Sequence, residues 1–338
     1  MMGTYARWMD EWETALANRD TNRVERPFEW GLEWLGLPDG EGSPGRRLAE
    51  FVERAVERSG EFFAHATPDR YELEGGTLRF ASNLQTAYPE NNTVEAEYLP
   101  AKNARGRAVL VLPQWNSPPD SHLSLCRLLQ RLGISALRMS KAYHHNRKPR
   151  ETERADYHVS SNLGRTIHAT RQSVLDARCS IDWLERRGYR RIGILGTSLG
   201  SCVALLAVAH DRRVRTAVFN HVSMNFSDVV WTGMSCRHVR RTLEPHVTQE
   251  EMRTYWKVIS PSAYLDRLRG RDLHSLLVWG RYDTTFRPEF SREVLRGFQE
   301  RQLRHRAVCL PCGHYTTGKF PFNWMDAWAM CRFLVREL

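Results

Sequence analysis

The chain has 338 residues, of which 41% are hydrophobic and 26% charged. That length allows two domains or one large domain with additions, and that balance excludes disordered, collagen-like and disulfide-scaffold proteins. The net charge of +10 rests on 44 arginines against five lysines, and it divides unevenly, with residues 1–70 at −5 and the remainder at +15. Residues 1–70 predict an N-terminal helical arm with Trp8, Trp12, Trp30 and Trp34 as apolar anchors, then a helix with Leu48, Phe51, Val52, Ala55 and Val56 on one face. Segments 76–82 and 93–99 read as strands of a hairpin, with Pro89 to Asn92 supplying the turn. From there strands alternate with helices: strand 108–112, helix 121–132, strand 135–139, helix 162–187, strand 192–195, helix 199–210 and strand 216–220. After a break come strand 276–279, helix 288–301, strand 306–310 and a last helix over 323–338. Continuous runs of β-branched residues and Leu between helices mean strands buried on both faces. The fold class is therefore α/β, a mostly parallel central sheet flanked by helices. The break, about 223–270, is too long for a connecting loop and predicts a helical cap insertion in a domain spanning 71–338. Trp231, Met234, Tyr255 and Trp256 fall within it.

Seven cysteines at irregular spacing give no disulfide framework, and the odd count points to a reducing, cytoplasmic location. Cys309-Leu-Pro-Cys312 has redox spacing but ends an apolar strand, so the expectation is a pair of buried structural thiols. Charged Asp10, Glu11 and Glu13 interrupt the start, so no export signal is expected. The longest uncharged run, 192–209, contains three glycines and three hydroxyl residues that divide it into strand, turn and helix rather than a membrane span.

The turn in that run is Gly196-Thr197-Ser198-Leu199-Gly200. Between a strand and an apolar helix this spacing is a nucleophile elbow: the glycines admit a sharp turn, and the helix N-terminus adds partial positive charge beneath Ser198. Over about 75–338 the chain resembles the α/β-hydrolase superfamily, which orders its triad as nucleophile, acid, His. The resemblance implies Asp283, after strand 276–279, as the acid and His314, after strand 306–310, as the general base. The oxyanion hole would use the backbone N–H of Leu199 and that of Trp115, with Gln114 as the fallback, although Pro113-Gln114 stands where the superfamily usually has His-Gly. Lys141-Ala142-Tyr143-His144-His145-Asn146-Arg147-Lys148-Pro149 is similar to the Pro-Tyr-Tyr/His-Gly-x-Arg-x-Pro segment of the branch around α/β-hydrolase-domain protein eighteen. Ala142 and His145 replace its Pro and Gly.

The implied activity is cleavage of a carboxylic ester through an acyl-enzyme, without cofactor or metal. The partner is then a small-molecule ester or acyl substrate. A Ser at the elbow argues against dehalogenase and epoxide hydrolase chemistry, which needs a carboxylate there. Alternatives are acyl transfer, peptide or thioester cleavage by the same triad, or a non-catalytic interaction protein of the same fold. Tyr143 and His144 are expected at the mouth of the pocket, with Trp231 and Met234 accepting an acyl group. Arg237, Arg240 and Arg241 are candidates for an anionic substrate or peripheral membrane contact, and read equally as a solvated helix face. Dispersed charge without a recognition motif speaks against a nucleic-acid partner. Adjacent His144 and His145, even with His158 or Glu151, lack metal-ligand spacing.

Overall fold

The computed structural model describes residues 3–37 and 39–338. Helix α1 (Thr4–Ala17) turns Met9, Glu13, Leu16 and Ala17 inward. Trp8 falls on its other side, 48% exposed, so it is not the anchor its size suggested. Ser43 caps α2 (Pro44–Glu57) by accepting the Arg46 N–H, and Leu48, Val52 and Ala55 form its buried face. The short α3 (Ser59–Phe62) follows.

Strands β1 (Glu72–Glu74), β2 (Thr77–Ala81) and β3 (Thr93–Leu99) form an antiparallel meander. Strand β4 (Arg107–Leu112), helix α4 (Leu123–Arg131), strand β5 (Ser135–Met139), helix α5 (Leu163–Arg186), strand β6 (Arg191–Thr197), helix α6 (Leu199–His210) and strand β7 (Val214–Asn220) come next. The segment after β7 folds as α7 (Phe226–Thr232), α8 (Arg237–Leu243) and α9 (Gln249–Tyr255), followed by 3-10 turns to Leu268. Strand β8 (His274–Gly280), helix α10 (Pro288–Glu300), strand β9 (His305–Leu310) and helix α11 (Phe322–Glu337) complete the chain.

The nine strands of the described residues join one sheet in the order β1-β2-β3-β5-β4-β6-β7-β8-β9, and β4 through β9 run parallel. Because β4 to β9 are parallel neighbours, their C-terminal ends lie along one edge of the sheet. Leu112 pairs with Gly196, Thr197 with Asn220 and Gly280 with Leu310, so the loops leaving these strands converge. Strand β9 forms one border of the sheet. That border exposes Cys309 while Cys312 is buried, which corrects the expectation of two buried thiols.

Candidate active site

Five loops meet at that edge, those after β4, β6, β7, β8 and β9. Ser198, between β6 and α6, takes φ +56°, ψ −122°, a strained conformation that aims its side chain away from the turn. The turn closes only because its neighbours are glycines. A Cβ on Gly196 would strike the Gly200 carbonyl, and one on Gly200 would strike the carbonyl of Leu112. Thus β4 and its following loop press directly on the elbow.

Ser198 Oγ lies 3.2 Å from His314 Nε2, and His314 Nδ1 lies 3.0 Å from Asp283 Oδ2. The same Asp283 oxygen is 2.7 Å from Nδ1 of His221, which follows β7. Asp283 Oδ1 accepts the N–H groups of Thr285 and Phe286, each at 2.7 Å. Burial alone would raise this carboxyl's pKa, but the charge of His314 and the bonds from both imidazoles hold it far below the usual carboxylate range. An ionised carboxylate only accepts, so both Nδ1 atoms carry their protons, and His314 Nε2 is left bare toward the Ser198 hydroxyl. For His314 itself, burial opposes the imidazolium. Asp283, by charge and hydrogen bond, and Glu13 outweigh it, so its pKa is raised.

Glu13 reaches this site from α1. Its fully buried carboxylate accepts the N–H groups of Tyr315 (3.1 Å) and Thr316 (2.7 Å) and the Thr284 hydroxyl (3.2 Å). One acid therefore clasps the loop bearing His314 and the loop bearing Asp283. Lys141 acts on the opposite wall. Among the described residues it is buried without a carboxylate partner, and its Nζ donates to the carbonyls of Pro113 (2.6 Å) and Gln114 (3.2 Å). Desolvation, with Arg138 nearby, drives its pKa well below the usual lysine value. In a planar trans peptide the C=O and N–H point oppositely, so fixing these two carbonyls also fixes the N–H groups of Gln114 and Trp115. Among the described residues neither N–H donates to the protein, nor does that of Leu199 at the start of α6. His122, φ +66°, bonds Thr197 Oγ1 at 2.9 Å and is kept neutral by burial, its pKa lowered to about 3.

Ser198, His314, Leu199, Trp115 and Gln114 line one cleft of about 1780 Å³. The other pocket expectations do not hold. Tyr143 and His144 are buried away from the cleft, packed on Tyr157 and His158, because the segment after β5 turns inward. Asn91 receives the Tyr143 N–H, and Arg147 makes a buried 2.8 Å ion pair with Asp176. Trp231 and Met234 also miss the cleft: α7 directs Phe226, Val229 and Val230 into it, leaving Trp231 under the Arg240 guanidinium. Arg237 bonds Asn18 and Arg240 bonds Glu244, so neither faces Ser198, and Arg241 pairs with Glu25.

Sequence reasoning missed Glu13, Lys141, His122 and His221. An acid four residues after Met9 on a buried helix face was a readable signal for Glu13, as was a His directly after a parallel strand for His221. Two clusters bring three potential metal ligands within 4.8 Å, His65-Cys179-Asp182 and His221-Asp283-His314. In the second, both imidazoles are already engaged by Asp283 and one faces Ser198, an arrangement suited to moving a proton. Among the described residues no helix is long and apolar enough to cross a membrane.

The model of the family described as Alpha/beta hydrolase domain containing 18 matches residues 121–258, a stretch that holds Ser198 and the segment from Lys141 to Pro149. No curated protein sequence matches the chain. Among solved structures, acetyl xylan esterase 1 from a Thermoanaerobacterium species is similar at 15% identity, over 96% of this chain and 98% of that one, with TM-score 0.59. An acetyl xylan esterase from a Paenibacillus species shares 15% identity over 96% of this chain and 99% of its own, with TM-score 0.58. An esterase of Pyrococcus furiosus shares 14% over 93% and 99%, with TM-score 0.55. The chain has the α/β-hydrolase fold.

Proposed function

We propose that this chain, an α/β-hydrolase in fold, is a serine hydrolase that cleaves a carboxylic ester. The observation carrying the reading is the run of contacts from Ser198 Oγ through His314 to Asp283 at one end of an open cleft. His314 Nε2 takes the Ser198 proton as Oγ attacks the ester carbonyl. The tetrahedral oxyanion is met by the N–H of Leu199 and that of Trp115, or Gln114. Collapse expels the alcohol with the proton from His314, leaving an acyl-enzyme that water hydrolyses by the same steps. The α6 dipole strengthens this stabilisation. A panel of esters varied in acyl length and alcohol, with product carboxylate measured, tests the reading together with fluorophosphonate labelling of the wild type. A folded protein that neither turns over an ester nor takes the label would overturn it.

Two supporting residues have distinguishable effects. Lys141→Met should lower kcat by roughly 10²-fold, the scale of losing one oxyanion donor, with KM nearly unchanged. A boronic acid that mimics the tetrahedral adduct should weaken in parallel, and an unchanged boronate affinity would remove Lys141 from the mechanism. Glu13→Gln removes a charge that favours the His314 imidazolium. Because the base must be neutral, the acidic limb of the kcat/KM profile should lie above the ordinary imidazole value in the wild type and move to lower pH in the variant. A limb that stays put would leave Glu13 with a structural role only.

A further inference from the structure

Several of the large hydrophobic side chains that remain exposed fall on or beside α4 and α11, two helices in contact. They are Leu128 of α4 and Leu132 just past its end, Phe320 just before α11, and Trp324, Met325 and Trp328 in the first turns of α11. Single exposed apolar residues need no explanation, but a patch of this kind does. Phe320 is 75% exposed, Trp324 73% and Trp328 62%, so these rings stand largely in solvent, with Trp324 and Trp328 at the outer end of the cleft. Trp324, Trp328, Arg332 and Arg336 recur at steps of four on α11, which places rings and guanidiniums on one stripe, with Arg332 lying 4.9 Å over the Trp328 ring.

The charge on this face is one-sided. Arg131, Arg332 and Lys319 border the same depression, and among the described residues none has a carboxylate within ion-pair distance, unlike many other arginines of the chain. Helix α4 contains no acid. Of the two acids on α11, Asp326 is buried against Asn220, burial pushing its pKa up to about 6, and Glu337 at the far end is engaged by His274 and Arg306.

We infer that this face docks on a lipid bilayer carrying anionic headgroups. Protruding Trp and Phe rings insert at the headgroup boundary, where the amphipathic indole is favoured, and the unpaired cations supply attraction to the surface charge. The depression runs on to Ser198, so docking would turn the cleft mouth toward the surface. The inference does not depend on the proposed hydrolysis.

The test is co-sedimentation of the full chain with phosphatidylcholine vesicles, and with vesicles of three parts phosphatidylcholine to one part phosphatidylglycerol. Wild type should pellet with the anionic vesicles only, and less as salt rises. Trp324→Ser with Trp328→Ser should weaken binding about tenfold or more. Arg131→Glu with Arg332→Glu, surface changes that spare the core, should weaken it at least about thirtyfold. Melting curves establish that each variant is folded. The proposal is overturned if wild type stays in solution, if it binds neutral vesicles equally, or if both variants bind as wild type does. It is also overturned if wild type is a dimer that the tryptophan variant dissolves, since the face would then belong to a second copy.

Discussion

Ser198→Ala should abolish fluorophosphonate labelling and lower ester turnover by about 10⁴-fold or more. The change removes the Oγ that bonds the elbow to His314 while leaving the backbone as it was, since Ala is strained at φ +56° as Ser is. Stability should therefore hold even though turnover collapses, and a melting curve beside the kinetics separates the two. Residual hydrolysis near the wild-type rate would assign the chemistry to another group.

Asp283→Asn should cost about 10³- to 10⁴-fold in kcat/KM, and here stability should fall as well. The carboxylate accepts from four donors, two imidazole N–H groups on Oδ2 and two backbone N–H groups on Oδ1. An amide has one accepting side, so its NH₂ must oppose one of these pairs. If it opposes the imidazoles, both rings must change tautomer, and His314 then presents a proton to Ser198 instead of a lone pair. If it opposes the backbone pair, the loop after β8 loses its anchor. Either way buried donors are stranded, at about 1–3 kcal/mol each. A loss below about tenfold in kcat/KM, with unchanged melting, would sink the assignment of Asp283.

The sheet was legible because its strands are apolar on both faces: β5 and α6 fall where the residue pattern predicts, and β4, β6 and β8 begin or end within one to three residues of it. Strand β1 escaped because all three of its residues are exposed, leaving no alternation to detect. Ser198, Asp283 and His314 could be read from their places just past parallel strands. Pocket residues could not. Tyr143 and His144 follow a strand too, yet the Arg147–Asp176 pair draws their segment under the surface. In α7 the inward face is Phe226, Val229 and Val230, and ring size drew attention to Trp231 one position away. Glu13 and Lys141 serve backbone amides and carbonyls rather than opposite charges, so no pattern of paired charges announces them.

The bond from Thr316 to Glu13 spans 303 residues. During synthesis the stretch carrying Ser198 emerges long before the loop with His314, and the acid that clasps this loop has by then been waiting since the first turns of the chain. A half-made chain thus holds Ser198 without His314, and closing so long a loop belongs among the late events of folding. The contact between α1 and the loop after β9 can therefore form only once both segments have been made.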